Sequence, residues 1–400
     1  MNNYKYWDIE FKRENSLKDE NEYKEAIIFE LEQSVRRRMD MDVEYGSYLS
    51  GGIDSSLVSA ILVNQGAKNL KTFTLSYESD FLHKQEDTKF ARIMANKLGT
   101  EHYEYVLTAN EVWKELPNVL KSFDEPFSGV ISTYFITKFI AQHVKVAMSG
   151  DGADELFGSY LTHRLSSPIQ YLHQFSNIPK FDALTTKDKS ILRPFDSEIE
   201  YNKLIKLYDK QNFIWRNKLL VFSREDISKL FNGEIDVIPF KETLNIDGKT
   251  ELDLTLESEF KDQLPNQVLA FVDRLSMVHS VEVRCPFLDY KFIEMVAKIP
   301  SHLKIKNGDV KFILKQAALK YLPNDLVNRK KEGFVMPVYK WMESIWYKNV
   351  RDIILDSDIF HDFDMNKNYM EQLLNELKQG KNHFAKIWNI FNLVIWYNNL

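Results

Sequence analysis

The stretch Ser50-Gly51-Gly52-Ile53-Asp54-Ser55-Ser56 decides the fold. It follows an apolar run, Tyr45 to Leu49, and opens a second one, Leu57 to Val63, that suits a helix. Strand, Ser/Gly turn and helix in that order make a phosphate cradle. Glycines let the backbone approach an anion, and hydroxyls and free N–H groups at the helix start bind it. The helix dipole adds about half a positive charge at that point. The turn lacks the Gly-Lys-Ser/Thr ending of a Walker A loop. It has no lysine and carries an acid, Asp54. An acid beside a polyphosphate makes sense if it holds Mg²⁺ against the phosphate oxygens. The competing reading is a plain turn between a strand and a helix.

A second loop strengthens the first. Ser149-Gly150-Asp151-Gly152-Ala153-Asp154-Glu155-Leu156-Phe157-Gly158-Ser159 follows the apolar run Val144–Met148. Carboxylates this close repel one another unless a cation or a base neutralises them. Mg²⁺ with a nucleotide would do so, and Asp54 and Asp154 form the candidate metal pair. Otherwise the loop is an Asp/Gly turn with Asp154 as a helix cap.

Working outward, β and α signals alternate. Strands are expected at Tyr45–Leu49, Lys71–Tyr77, His102–Leu107 and Val144–Met148. Helices are expected at Glu22–Arg38, Ile53–Asn64, Glu86–Leu98, Ala109–Phe123 and Ser132–Gln142. Such alternation implies an α/β fold, a parallel sheet with flanking helices, whose ligands bind beyond the carboxyl ends of the strands. Both loops sit at such ends. After about residue 160 the strand signal fades. Long amphipathic stretches follow at Ile199–Leu220, Glu251–His279, Lys311–Leu322, Tyr369–Leu377 and Phe384–Asn398, punctuated by residues such as Pro265. The expected organisation is a polar lead-in and helix over 1–40, an α/β nucleotide core over 41–160, and a mostly helical part over 161–400.

Composition narrows the function. Of 400 residues, 44% are hydrophobic and 28% charged, the balance of an ordinary globular protein. A net charge of -6 argues against a dedicated nucleic-acid binder. No apolar run approaches membrane-spanning length. The sole cysteine, Cys285, cannot form an internal disulfide, which fits a reducing, cytoplasmic setting, and reads as a buried inert thiol. Asp362 to Leu373 hints at a calcium loop but lacks the glycine at its sixth place and a glutamate at its twelfth. The nine histidines show no metal-binding spacing.

The chain resembles the asparagine synthetase family, in its synthetase part, the PP-loop ATP pyrophosphatase group. Ser50–Ser55 matches the Ser-Gly-Gly-x-Asp-Ser loop and Ser149–Gly158 the second loop. Asp124-Glu125-Pro126, Asp273-Arg274-x-Ser276-Met277, Glu282 to Asp289, and Arg329-Lys330-Lys331-Glu332-Gly333-Phe334 follow in family order. The resemblance implies that ATP adenylates a carboxylate, pyrophosphate leaves, and an amine or ammonia then displaces AMP to give an amide. It implies that Leu49, Leu75, Ser149 and Gly150 contact the nucleotide together with Ser50, Gly51, Gly52, Asp54 and Ser55. Lys331 would offset charge on the reacting oxygens, with Lys311 adding to the phosphate field. Asp151 would serve the acyl-adenylate and accept a proton from the attacking amine. Arg274, Arg284, Asp273 and Asp289 read as structural ion pairs.

One departure matters. Glutamine-dependent members carry an N-terminal glutaminase with a cysteine after the start methionine, whereas position 2 here is Asn2. The expectation is a ligase without its own glutaminase. It would use free ammonia, a separate glutaminase subunit, or an amine on another substrate, as in lactam- or peptide-cyclising relatives. Phe127-Ser128-Gly129 also lacks the charged residue many relatives have there, which opens a tailoring role on a metabolite or peptide. A catalytically silent nucleotide-binding subunit and an RNA-modifying adenylating enzyme are the readings from other classes.

Overall fold

The computed structural model describes residues 4–12, 19–78, 82–208, 221–232, 248–329 and 336–399. Helix α1 (Glu20–Met39) is capped by Asp19, whose carboxylate accepts from the N–H groups of Asn21 and Glu22. Then come β1 (Tyr45–Tyr48), α2 (Ile53–Asn64), β2 (Lys71–Tyr77), α3 (Leu82–Leu98) and β3 (Glu101–Leu107). After them follow α4 (Ala109–Leu120), α5 (Ser132–Ile140), β4 (Val146–Met148) and α6 (Ala153–Phe157). The elements expected over the first 160 residues are all present, with ends shifted by a few residues.

The strands form one parallel sheet in the order β3-β2-β1-β4-β5. Its fifth strand, β5 (Glu282–Arg284), comes from the part expected to be helical. It is three residues long, Glu-Val-Arg, too short and too polar to show the alternation that marks a strand. Its pairing with β4, Ala147 opposite Val283, makes it a strand. β1 sits at the centre, with Ser47 opposite Thr72 on one side and Met148 on the other. Strand order reverses beside β1, so the loops after β1 and β4 face one crevice.

Among the described residues the second half is otherwise helical, as expected; of the stretch Ile199–Leu220, residues 209–220 lie outside the described residues. The stretch Glu251–His279 is not one regular helix. It runs as an α-helix over Glu251–Ser258, a π-helical segment over Glu259–Leu269, and an α-helix over Ala270–Met277. Pro265 lies inside the π segment; it has no N–H and its ring clashes with the carbonyl four residues back, which accounts for the widening. The lead-in is less polar in place than in composition. Phe11 is fully buried, its N–H donates to Glu257 Oε2 at 3.0 Å, and its ring packs on Phe260. The largest core joins both halves: α1 and α2 pack against the helix Phe312–Ala318. That packing brings Lys311, at the start of that helix, to the crevice.

Candidate functional site

The first loop is pinned by its own hydroxyls. Ser55 Oγ accepts from the Ser50 N–H at 3.1 Å and lies 2.9 Å from Ser50 Oγ, and Ser50 Oγ accepts from the Gly52 N–H at 3.3 Å. No side chain caps the start of α2, so its first-turn N–H groups are available to a ligand. Gly51 has φ +75°, and a Cβ there would lie 2.1 Å from the Asp87 carbonyl oxygen of α3. Only glycine permits that approach. Leu49 is fully buried; its N–H donates to the Phe73 carbonyl at 2.9 Å and its own carbonyl accepts from the Thr74 hydroxyl. Leu75 lies on β2 opposite Tyr105, beyond the last β1 partner, Phe73.

The second loop lies directly on the first. A Cβ on Gly150 would stand 2.8 Å from both Asp54 Cβ and the Ser55 nitrogen. The Ser149 N–H donates to the Arg284 carbonyl at 2.9 Å, and its hydroxyl lies 3.3 Å from Cys285 Sγ. Strand β5, unforeseen in the sequence, thus fixes the start of this loop. Burial pushes the Cys285 thiol up to about 12.

Lys311 bridges the two loops. Its Nζ donates to Asp54 Oδ2 at 2.7 Å and also contacts Asp154 Oδ1. Its side chain is 1% exposed. Burial would push this ammonium down, but Asp154 and Asp54 outweigh it and hold it above the ordinary lysine range. Lys311 itself adopts a left-handed backbone, φ 53°, and its N–H donates to the Gly158 carbonyl at 3.2 Å. Such a conformation in a non-glycine residue persists only where its surroundings over-determine it.

The acids of the second loop differ from one another. Burial, then the nearby Asp154 and Asp54 charges, raise Asp151 above the usual carboxylate range. Burial and Asp154 raise Glu155 to about 7, although the Tyr160 hydroxyl donates to it at 2.7 Å. Asp154 accepts from the Ser159 hydroxyl at 2.5 Å. Behind them, buried His163 accepts the N–H groups of Ser159 and Tyr160 at Nδ1, with Nε2 2.8 Å from Glu259 Oε2.

The structure therefore brings Ser50, Gly51, Gly52, Asp54, Ser55, Ser149, Gly150, Asp151, Asp154 and Lys311 to one crevice. Lys331 lies outside the described residues. Asp54 Oδ1 is buried with no hydrogen-bond partner among the described residues, an acceptor free for a cation. Asp54 thus fits an Mg²⁺ ligand, and Asp154, bonded to Lys311 and Ser159, stands across the same crevice. No three His, Cys, Asp or Glu side chains among the described residues form a metal site unaided. A divalent ion here needs phosphate oxygens to complete its shell, the usual arrangement for Mg²⁺. Of the other motif residues, Arg274 pairs with Asp124 at 2.9 Å, Arg284 with Glu282 at 2.7 Å, and Asp289 with Arg37 and Arg38 at 2.7 and 3.0 Å. The Arg274 and Asp289 pairs join separate elements, the Arg284 pair lies within β5, and Asp273 forms no ion pair among the described residues.

Sequence reasoning missed Asp87 and gave Arg329 a place in the last motif but no role of its own. Arg329 Nη2 donates to Asp87 Oδ1 at 2.6 Å beside the first loop. Asp87 sits on an ordinary helix position with no local signal, and only the fold reveals the pair.

Several known proteins are similar to this chain. Glutamine-hydrolyzing asparagine synthetase 1 of Bacillus subtilis (strain 168) is 30% identical over 407 residues, 98% of this chain and 62% of that relative. Amidase chry2 of Gibberella zeae is 25% identical over 419 residues, 93% of this chain and 62% of that relative. This chain therefore spans less than two thirds of the length of these curated relatives. Among solved structures, NMN synthetase from Francisella tularensis aligns over 36% of this chain and 60% of its own, with TM-score 0.24 and 17% identity. The profile of asparagine synthase matches residues 28–398, nearly the whole chain, and the chain belongs to that family.

Proposed function

We propose that this chain is an ATP-dependent ligase that activates a carboxylate as an acyl-adenylate and forms an amide from it. The observation that carries this reading is the Lys311 ammonium shared by Asp54 and Asp154. It joins a hydroxyl- and glycine-lined loop to an acidic one at the carboxyl ends of adjacent strands. In the first step a carboxylate oxygen attacks the α-phosphorus, the Pα–O–Pβ bond breaks, and pyrophosphate leaves. The Ser50–Ser55 loop and the start of α2 hold the departing phosphates through N–H groups and hydroxyls. Asp54 and Asp154 would hold Mg²⁺, which when bound would neutralise phosphate oxygens. Leu49, Leu75, Ser149 and Gly150 border the nucleotide, and Lys331 keeps the charge-offsetting role that family membership implies. In the second step an amine nitrogen attacks the acyl carbon, the carbon–oxygen bond to AMP breaks, and Asp151 takes the amine proton. A carboxylate raised above its usual range suits a base that must pick up a proton near neutral pH.

The nucleophile is ammonia or an amine on a second substrate, and the leading acceptor is a small amino-acid carboxylate. A tailoring role on a larger acid is the second reading, favoured by relatives named amidase. The test is carboxylate-dependent exchange of labelled pyrophosphate into ATP. Exchange with aspartate is the expected result. Exchange only with a larger acid selects tailoring. Tight ATP binding with no exchange for any acid selects a silent nucleotide-binding subunit.

A further inference from the structure

We propose that Arg329 is a phosphate-binding residue that grips the pyrophosphate half of the nucleotide. The inference rests on the nucleotide reading of the crevice and adds a residue to it. The first loop contains no basic side chain between Ser50 and Ser56. Lys311 is committed to two carboxylates. A triphosphate, even with one divalent ion and the charge assigned to Lys331, remains an anion, so a further cation has charge to meet.

Arg329 is placed to supply it. It follows the helix Asn324–Asn328, and its guanidinium is held against α3 in two ways. Nη2 donates to Asp87 Oδ1 at 2.6 Å, and the guanidinium carbon lies 5.3 Å from the centre of the Phe90 ring. Asp87 and Phe90 are three residues apart, so both face the same side of α3. This mounting aims the group at the loop: Nη2 stands 4.0 Å from where a Cβ on Gly52 would be. Asp87 also walls the loop with its own carbonyl, against Gly51.

The pair is not an ordinary surface tie. Both side chains are 12% exposed. Asp87 accepts from Nη2, and Nε and Nη1 make no hydrogen bond to the described residues. An arginine fixed at one corner, with donors left over, matches the planar two-pronged recognition of phosphate. Asp87 is then a positioning residue that sets the direction of the fork.

The test is calorimetric binding of inorganic pyrophosphate with Mg²⁺, and separately of AMP, to the full 400-residue chain. In Arg329→Gln, pyrophosphate affinity should fall about tenfold or more, the effect of one lost charge-assisted hydrogen bond. AMP affinity should stay within about twofold, because AMP lacks the phosphates concerned. Arg329→Lys keeps the charge and the stem but loses the fork, and should weaken pyrophosphate several-fold with AMP unchanged. It serves if the glutamine variant does not fold. Unchanged pyrophosphate affinity in either variant overturns the proposal. Equal losses for pyrophosphate and AMP also overturn it, since they mark a general disturbance of the crevice. Wild-type protein that binds neither ATP nor pyrophosphate brings down the nucleotide reading itself, whatever the variants do.

Discussion

Lys304 and Lys311 flank one tight turn, closed by paired backbone bonds between Lys306 and Asp309, and both are buried, at 0% and 1% exposed. Their surroundings are opposite. Lys311 meets Asp54 and Asp154 and is held charged. Lys304 Nζ has no hydrogen-bond partner among the described residues and lies 4.5 Å from the Phe11 ring centre. Burial pushes it down to about 8, against a smaller opposing pull from Asp253. Burial alone therefore says little about a lysine; the acids around it decide whether the charge survives. A charge kept at the expense of desolvation, between loops shaped for an anion, is the mark of a site. A charge that burial weakens, with no acid in hydrogen-bond contact, is packing.

The largest effect should come from removing the kept charge. Lys311→Met leaves Asp54 and Asp154 facing each other across the joined loops. Breaking a buried pair by deleting one partner costs about 3–5 kcal/mol. Pyrophosphate exchange should fall by about two orders of magnitude or more, as for losing an electrostatic stabiliser. Urea unfolding and the exchange assay measure the two. Adding Asp54→Asn and Asp154→Asn to this variant should recover part of the stability and none of the exchange. If Lys311→Met exchanges at near wild-type rates, Lys311 is a structural tie and the contrast with Lys304 loses its meaning.

Lys304 predicts a smaller change of the opposite sign. Lys304→Met places a side chain of similar length in the same apolar site, without the charge. Stability at pH 7 should rise by about 1–3 kcal/mol, with exchange activity unaltered. The wild-type pH dependence carries the same signature. The folded-state value, about 8, lies below the ordinary 10.5, so between them the unfolded chain binds more protons. Stability therefore rises with pH across that window, and below it both states are protonated and the slope vanishes. Lys311, held above 10.5, adds stability that is full below that value and lost only at still higher pH. Unfolding midpoints measured from pH 7 to 10.5 in wild type and Lys304→Met separate the two. Parallel curves would assign the slope to other groups.

How much of this was legible in the sequence follows from the range of each interaction. The loops at Ser50 and Ser149 were readable because turn chemistry is local: glycine where φ is positive, hydroxyls and acids at helix starts. The first four strands were readable as apolar runs bounded by glycine and polar clusters. β5 was not, because three residues paired to β4 carry no pattern of their own. Lys311 was assigned only a general part in the phosphate field. Its partner Asp54 is 257 residues away, and nothing short of the tertiary fold reports that contact. The pairing of Asp87 with Arg329 was silent for the same reason, 242 residues apart. The buried end of the lead-in, Phe11, looked polar only because its neighbours are.

Cys285 offers the smallest and sharpest test of the contrast between the lysines. It lies beside the same acidic loop, with Ser149 Oγ 3.3 Å from its sulfur. It has no lysine of its own to stabilise a thiolate, burial is its largest influence, and the Asp151 charge adds to it. As at Lys304, burial favours its neutral form. At pH 8 the thiol, pushed up to about 12, is almost wholly protonated and a poor nucleophile. Labelling of native protein by a thiol reagent should be at least about tenfold slower than in urea-unfolded protein. Cys285→Ser should change pyrophosphate exchange by less than about threefold, the range of a near-isosteric swap in a packed site. The purified chain should not hydrolyse glutamine through this thiol. Fast labelling of the native protein at pH 8 would mean that a cation reaches Cys285 after all, and would move it from the group of Lys304 to that of Lys311.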